Sequence, residues 1–151
     1  MYTNILVPLD GSETAQRGLE AAMELAKAVK AKLTLLNVTS DFPIMVEMAH
    51  TMNVEQVRAG LTQYGQDLLK ETKTVVARAG IEVTTELRDL RGGRVADAIV
   101  AQAGESKCDL IVIGTHGRRG FSRALMGSDA ERVVRESAVP VLVVRGSDAR
   151  D

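Results

Sequence analysis

Residues Asn4 to Leu9 (NILVPL) form a short apolar run that ends in Asp10, Gly11 and Ser12, a turn cluster that can also cap a helix. The pattern predicts strand, turn, helix. From Thr14 to Lys30 the residues Ala15, Leu19, Ala22, Ala26 and Val29 recur at helical spacing, with Arg17, Glu20, Glu24 and Lys27 on the other side. That is an amphipathic helix with one face on a sheet. Lys32 to Val38 (KLTLLNV) reads as a second strand, and after a loop through Pro43 the residues Val54, Val57, Leu61, Tyr64, Leu68 and Val75 mark a long helix ended by Gly80. Ile81 to Leu87 (IEVTTEL) alternates as a strand, and Arg94 to Ser106 is helical. Asp109 to Ile113 (DLIVI) is apolar enough to be buried on both faces. Beyond a glycine-rich segment the helical signal resumes from Ser128 to Glu136, and Val139-Pro140 introduces a last strand, Val141 to Val144.

The order β-α-β-α-β-α-β-α-β, with continuous apolar runs in the first and fourth strands, calls for an α/β fold in which helices cover both faces of a parallel sheet. Right-handed crossovers make it doubly wound. Ligands of such sheets bind beyond the carboxyl ends of the strands, where the winding direction switches, so the turns after strands one and four are the places to search. We expect a single domain over residues 1–146 and a polar, frayed tail at 147–151.

Composition narrows the class. The 151 residues are 45% hydrophobic, enough for one sizeable core. Lys and Arg number 19 against 20 Asp and Glu, and the net charge of −1 offers no positive field for a nucleic acid. Cys108 is the only cysteine and the two histidines, His50 and His116, lie far apart, so neither an intrachain disulfide nor a zinc cluster is expected. Cys108, just before a buried strand, reads as a core residue. No export signal or spanning segment is legible, which suits a cytoplasmic protein with no membrane partner.

The chemistry concentrates in Gly114 to Ser128 (GTHGRRGFSRALMGS). Gly114 and Gly117 would let the backbone approach a ligand and adopt positive φ, and Gly127-Ser128 stands at a helix N-terminus whose free N–H groups suit an anion. The same glycines would also serve as plain turns and Ser128 as a plain cap, but the connection is longer than a turn requires. Neither Gly-Lys-Ser/Thr nor Gly-x-Gly-x-x-Gly is present, which disfavours a Walker-type ATPase or a dehydrogenase. His116 has no nucleophile, partner carboxylate or metal cluster to complete a hydrolytic set, so it reads as a binding residue. The apolar stretch from Phe42 to Met48 suits a lid, a partner contact or local packing.

Gly114, two residues, Gly117, nine residues, then Gly127-Ser128 resembles the signature of the ATP-binding universal stress proteins. ILVPLDGS at Ile5 to Ser12 is similar to that family's opening strand and turn, and SAVPVLVVR at Ser137 to Arg145 to its closing strand. The resemblance implies a sheet of order 3-2-1-4-5 and ATP as ligand. It further implies that Pro8 and Asp10 line the site, that Val38 meets adenine through its backbone, that Ile113, Gly114, His116 and Gly117 flank ribose and phosphates, and that Gly127 and Ser128 bind phosphate. Asp10 would orient the ribose or hold Mg2+ on the phosphates, although an Asp before Gly-Ser is also an ordinary turn residue.

After Gly127-Ser128, where many ATP binders have a small apolar residue and then Ser or Thr, this chain has Asp129 and Ala130. Both belong to the candidate site. Asp129 favours the helix N-terminus but would repel a nearby γ-phosphate, and Ala130 lacks a hydroxyl donor. Arg118, Arg119 and Arg123 would offset the repulsion or form a solvated loop face. The leading expectation is a nucleotide-binding regulatory module in stress response, hydrolysing ATP slowly at most. The alternative is a nucleotide-independent interaction module of the same fold. Val141 to Val144, apolar throughout at a sheet edge, predict a homodimer through the last strand.

Overall fold

The computed structural model describes residues 1–40, 53–115 and 126–146. In chain order they form β1 (Asn4–Pro8), α1 (Glu13–Val29), β2 (Lys32–Ser40), α2 (Val54–Arg78), β3 (Val83–Leu90), α3 (Val95–Glu105), β4 (Leu110–Gly114), α4 (Ser128–Glu136) and β5 (Val141–Val144). Ile5, Leu6 and Val7 of β1 and Ile111 and Val112 of β4 are completely buried. Strands apolar on both faces are satisfied only at the centre of a covered sheet. They lie there: the five strands are parallel and run in the order β3-β2-β1-β4-β5, the expected doubly wound arrangement.

The sheet separates two cores. On one side Ile5, Val7, Leu33, Leu35 and Val112 meet Ala15, Leu19, Ala22 and Ala26 of α1 and Leu69 and Val76 of α2. On the other, Leu6, Leu36, Ile111 and Ile113 meet Ala96, Ile99 and Ala103 of α3 and Ala130 and Val133 of α4. The α1 face is the one its periodicity predicts, and it is built mainly of small side chains. That lets α1 lie close on the sheet. Cys108 is buried in the second core, where burial pushes its thiol pKa up and keeps it protonated at neutral pH.

Several boundaries differ from the sequence reading. β2 continues past Val38 to Ser40 because its pairing with β3 continues, through Val38↔Arg88, Thr39↔Asp89 and Ser40↔Leu90. β3 accordingly occupies Val83–Leu90, while Ile81 is a buried plug below it. In α2 the stripe that marks the helix is only in part the face on the sheet: Leu68 packs against the first core. Tyr64 is 42% and Val75 54% exposed, whereas Gly65, Leu69, Thr72 and Val76 are buried. The packing face is displaced by one residue because Gly65 permits an approach to β2 that Tyr64 would not. Thr72 tolerates burial by donating its hydroxyl to the Leu68 carbonyl at 2.7 Å.

The amino ends of β1 and β4 are locked by one carboxylate. Asp109 accepts the Thr3 hydroxyl at 2.7 Å, the Thr3 N–H at 2.8 Å and the Asn4 N–H at 3.1 Å. Burial alone would raise its pKa, but the hydrogen bonds from Thr3 and Asn4 outweigh it and hold the carboxyl below its ordinary range. A folded-state pKa below the unfolded one stabilises the protein fully above the unfolded value of about 3.9 and is lost as pH falls through the folded value. Asp109→Asn should cost about 1 kcal/mol at neutral pH, allowing for solvent screening. In urea unfolding the gap between the two proteins should stay constant down to about pH 5 and close on further acidification. A gap that widens in acid would contradict the latch.

Candidate functional site

The winding direction reverses between β1 and β4. Their register pairs Ile5 with Leu110 and Leu6 with Ile111, and carries forward to bring the Pro8–Leu9 end of β1 beside Ile113 and Gly114. Leu9 lies past its strand yet is held by β2 on both of its peptide groups: its N–H donates to the Leu36 carbonyl at 2.8 Å and its carbonyl accepts Asn37 Nδ2 at 2.8 Å. The turn that follows is equally determined. Asp10 Oδ1 accepts the Ser12 N–H at 2.8 Å, Gly11 takes φ +82°, and Ser12 Oγ accepts the Ala15 N–H at 3.2 Å as the cap of α1. Asp10 and Ser12 thus serve the turn and the cap, with Asp10 half-buried at the rim of the crevice.

Asn37 was not singled out from the sequence. Its signal is a polar side chain near the end of an apolar strand, where burial demands a partner. It is 4% exposed, and its Oδ1, without a hydrogen-bond partner, abuts Gly65 of α2 at the position a Cβ would fill. A Cα–H···O contact there is the compensation the geometry offers.

At the end of β4, Gly114 is glycine for a reason other than the expected positive φ. It is absent from the positive-φ residues, and an added Cβ would stand 2.6 Å from the Thr14 carbonyl oxygen and 2.7 Å from its carbon. The first turn of α1 occupies that space. Ile113 directs its side chain into the second core, leaving only its backbone at the rim. Next comes Thr115, also missed in the sequence: it is buried, its N–H donates to the Val144 carbonyl at 2.9 Å, and its carbonyl accepts the Gly127 N–H at 2.6 Å. This pair ties together the two ends of the segment between them and delivers Gly127 to the carboxyl end of β4.

Gly127, not Ser128, is the N-cap of α4, and it supplies no side-chain cap. Its carbonyl accepts the Glu131 N–H at 2.9 Å, so the amides of Ser128, Asp129 and Ala130 precede the first intrahelical bond. Ser128 and Asp129 are exposed. Ala130 is 3% exposed and packs in the second core, so its methyl faces away from solvent rather than standing where a ligand hydroxyl is missing. Val38, half-buried on the second core, stands two places beyond the β2 residue opposite Pro8. The structure therefore gathers Pro8, Asp10, Val38, Ile113, Gly114, Gly127 and Ser128 at the carboxyl edge. His116, Gly117, Arg118, Arg119, Arg123, the Phe42–Met48 stretch and the tail at 147–151 lie outside the described residues. Among the described residues no cluster of three His, Cys, Asp or Glu side chains could hold a metal, and no helix is long and apolar enough to cross a membrane.

A family model described as the universal stress protein family matches residues 1–145. The universal stress protein MJ0531 of Methanocaldococcus jannaschii is 34% identical over 145 residues, covering 96% of this chain and 83% of that protein. Among solved structures, the protein MJ0577 superposes with a TM-score of 0.84 at 27% identity, covering 99% of each chain. A universal stress protein solved in complex with cAMP gives a TM-score of 0.67 at 26% identity, covering 97% of this chain and 98% of that one.

The close approach of α1 to β4 is directly testable. Gly114→Ala forces the first turn of α1 away from β4 and should cost about 2 kcal/mol in urea unfolding. Gly60→Ala is the control, because a methyl there meets nothing within 4 Å inside α2. It should stabilise by up to about 1 kcal/mol. Equal effects at the two glycines would rule out the contact as the constraint.

Proposed function

The chain belongs to the universal stress protein family, and on that premise we propose that it binds ATP or a related adenine nucleotide as a regulatory homodimer of the cytoplasmic stress response. The observation that carries this reading is the tie between Thr115 and Gly127. It brings the uncapped first turn of α4 to the carboxyl end of β4, the strand next to β1, so its free amides and the positive end of the helix dipole lie at the switch point. The relative solved with cAMP supports adenine as the base. Phosphate would lie at the Gly127–Ser128 turn, on the free Ser128 and Asp129 amides and the Ser128 hydroxyl, with ribose near Asp10 and adenine against the backbone at Val38. Mg2+ would enter with the phosphates, and Asp10 would be its protein ligand. Any hydrolysis is slow, since the groups gathered here bind rather than transfer protons.

Calorimetric titration of nucleotide-stripped protein with ATP, ADP and AMP tests the reading. Ser128→Ala removes a hydrogen bond to a charged oxygen and should weaken the preferred nucleotide about tenfold without changing the melting temperature. Protein that binds no adenine nucleotide would leave the interaction module of the same fold as the better reading.

The dimer rests on β5. Carbonyls of Pro140 and Val144 accept the Ile111 and Thr115 amides of β4, so by alternation the Val141 and Val143 peptide groups point outward from the edge. The exposed apolar side chains beside them are Leu142, 42% exposed, and Val134, 44% exposed. These, rather than the valines of the strand, are the surface a second copy would bury. Val143→Pro deletes an edge donor without touching the β4 ladder, and light scattering should show it shifted toward monomer at micromolar concentration. A folded proline variant that remains fully dimeric would move the interface elsewhere.

A further inference from the structure

The first turn of α4 carries two carboxylates, and among the described residues only one of them is neutralised. Glu131 pairs with Arg135 at 2.6 Å. Arg132, the other cation of α4 itself, is committed to Asp97 at 2.9 Å and Glu136 at 3.0 Å. Asp129 directly follows Ser128, is exposed, and makes no hydrogen bond or ion pair among the described residues. A full negative charge therefore stands beside amides whose helix dipole supplies only about half a positive one.

We propose that Asp129 makes this site charge-selective, favouring an adenine nucleotide with a single phosphate group over one with three. The inference rests on the nucleotide reading above. One phosphate seated on the free Ser128 and Asp129 amides gains their hydrogen bonds and the dipole, and its remaining charge can face solvent. Each further phosphate adds negative charge within a Debye length, about 8 Å at physiological salt, of a carboxylate that nothing described offsets. Repulsion there grows with phosphate number while the amide donors do not increase. Selection then depends on one exposed side chain, which can be changed without disturbing the core.

The test measures Kd for AMP, ADP and ATP by titration calorimetry, in EDTA at low salt and again at high salt, for wild-type protein, Asp129→Asn and Glu131→Gln. Wild-type protein should bind AMP more tightly than ATP. In Asp129→Asn the ratio of the ATP Kd to the AMP Kd should fall roughly three- to tenfold, almost wholly through tighter ATP, and the change should shrink at high salt. Glu131→Gln should move it less, because Arg135 already offsets that charge. An unchanged ratio in Asp129→Asn sinks the selectivity while the nucleotide site survives. Equal shifts in both variants assign the effect to net charge and overturn the role of Asp129. With Mg2+ present, weaker ATP binding by Asp129→Asn would make Asp129 a ligand of the phosphate-bound ion, which also overturns the proposal. Failure of all three proteins to bind any of the nucleotides would remove the underlying site as well.

Discussion

The crevice at the carboxyl end of the sheet depends on how closely the first turn of α1 lies on the last residue of β4. The Thr14 peptide occupies the space where a side chain on Gly114 would stand, and Gly18, one turn further along α1, again brings helix backbone near Gly114: a Cβ there would be 3.4 Å from its nitrogen. Gly146, just past β5, approaches the side chain of the same Thr14. The ends of β4 and β5 thus converge on one turn of α1. Ser12 determines where that turn begins, by capping α1, and Asn37 determines where β1 ends, by holding Leu9. With those positions set, the tie between Thr115 and Gly127 delivers the start of α4 to the other side of the switch point.

The consequence is a division of labour between backbone and side chains. Ile113 and Ala130 point into the second core and present only main chain to the crevice, while Gly127 has no side chain to offer. Recognition at such a site is mostly through amides, whose directions are set by the packing behind them. Ser128 and Asp129 are the exposed side chains of the α4 first turn that lie next to those amides, and under the proposed nucleotide reading changes there would alter ligand chemistry with little effect on the fold. The latch at Asp109 lies at the opposite end of β1 and β4 and sets their register without entering the site.

Much of the fold was legible in the sequence because parallel sheets write themselves plainly. The apolar runs of β1 and β4 announce central strands, and the small-residue stripe of α1 names its own packing face. The rest depended on tertiary contacts. Nothing local tells Val38 that pairing with β3 continues to Ser40, and the strong stripe through Tyr64 and Val75 outweighs the weaker Gly65, Leu69, Thr72, Val76 face that the sheet selects. The glycine spacing marked where β4 ends and α4 begins, but the reason for Gly114 is a helix that approaches from elsewhere in the chain. Asn37 and Thr115 were passed over because their work is to bond backbone groups, and no motif marks which carbonyl a buried polar residue will meet.

Backbone amide chemical shifts of 15N-labelled protein, followed as AMP and then ATP are added, test the crevice most directly. Binding at the switch point should move the amides of Gly127, Ser128 and Asp129 first, with those of Asp10, Gly11 and Ser12 alongside. The open depression at the other end of the sheet, lined by Lys27, Lys30 and Lys32, should stay unperturbed. Saturable shifts confined to those lysines, with the first turn of α4 silent, would contradict the assignment of the nucleotide to the carboxyl end of β1 and β4.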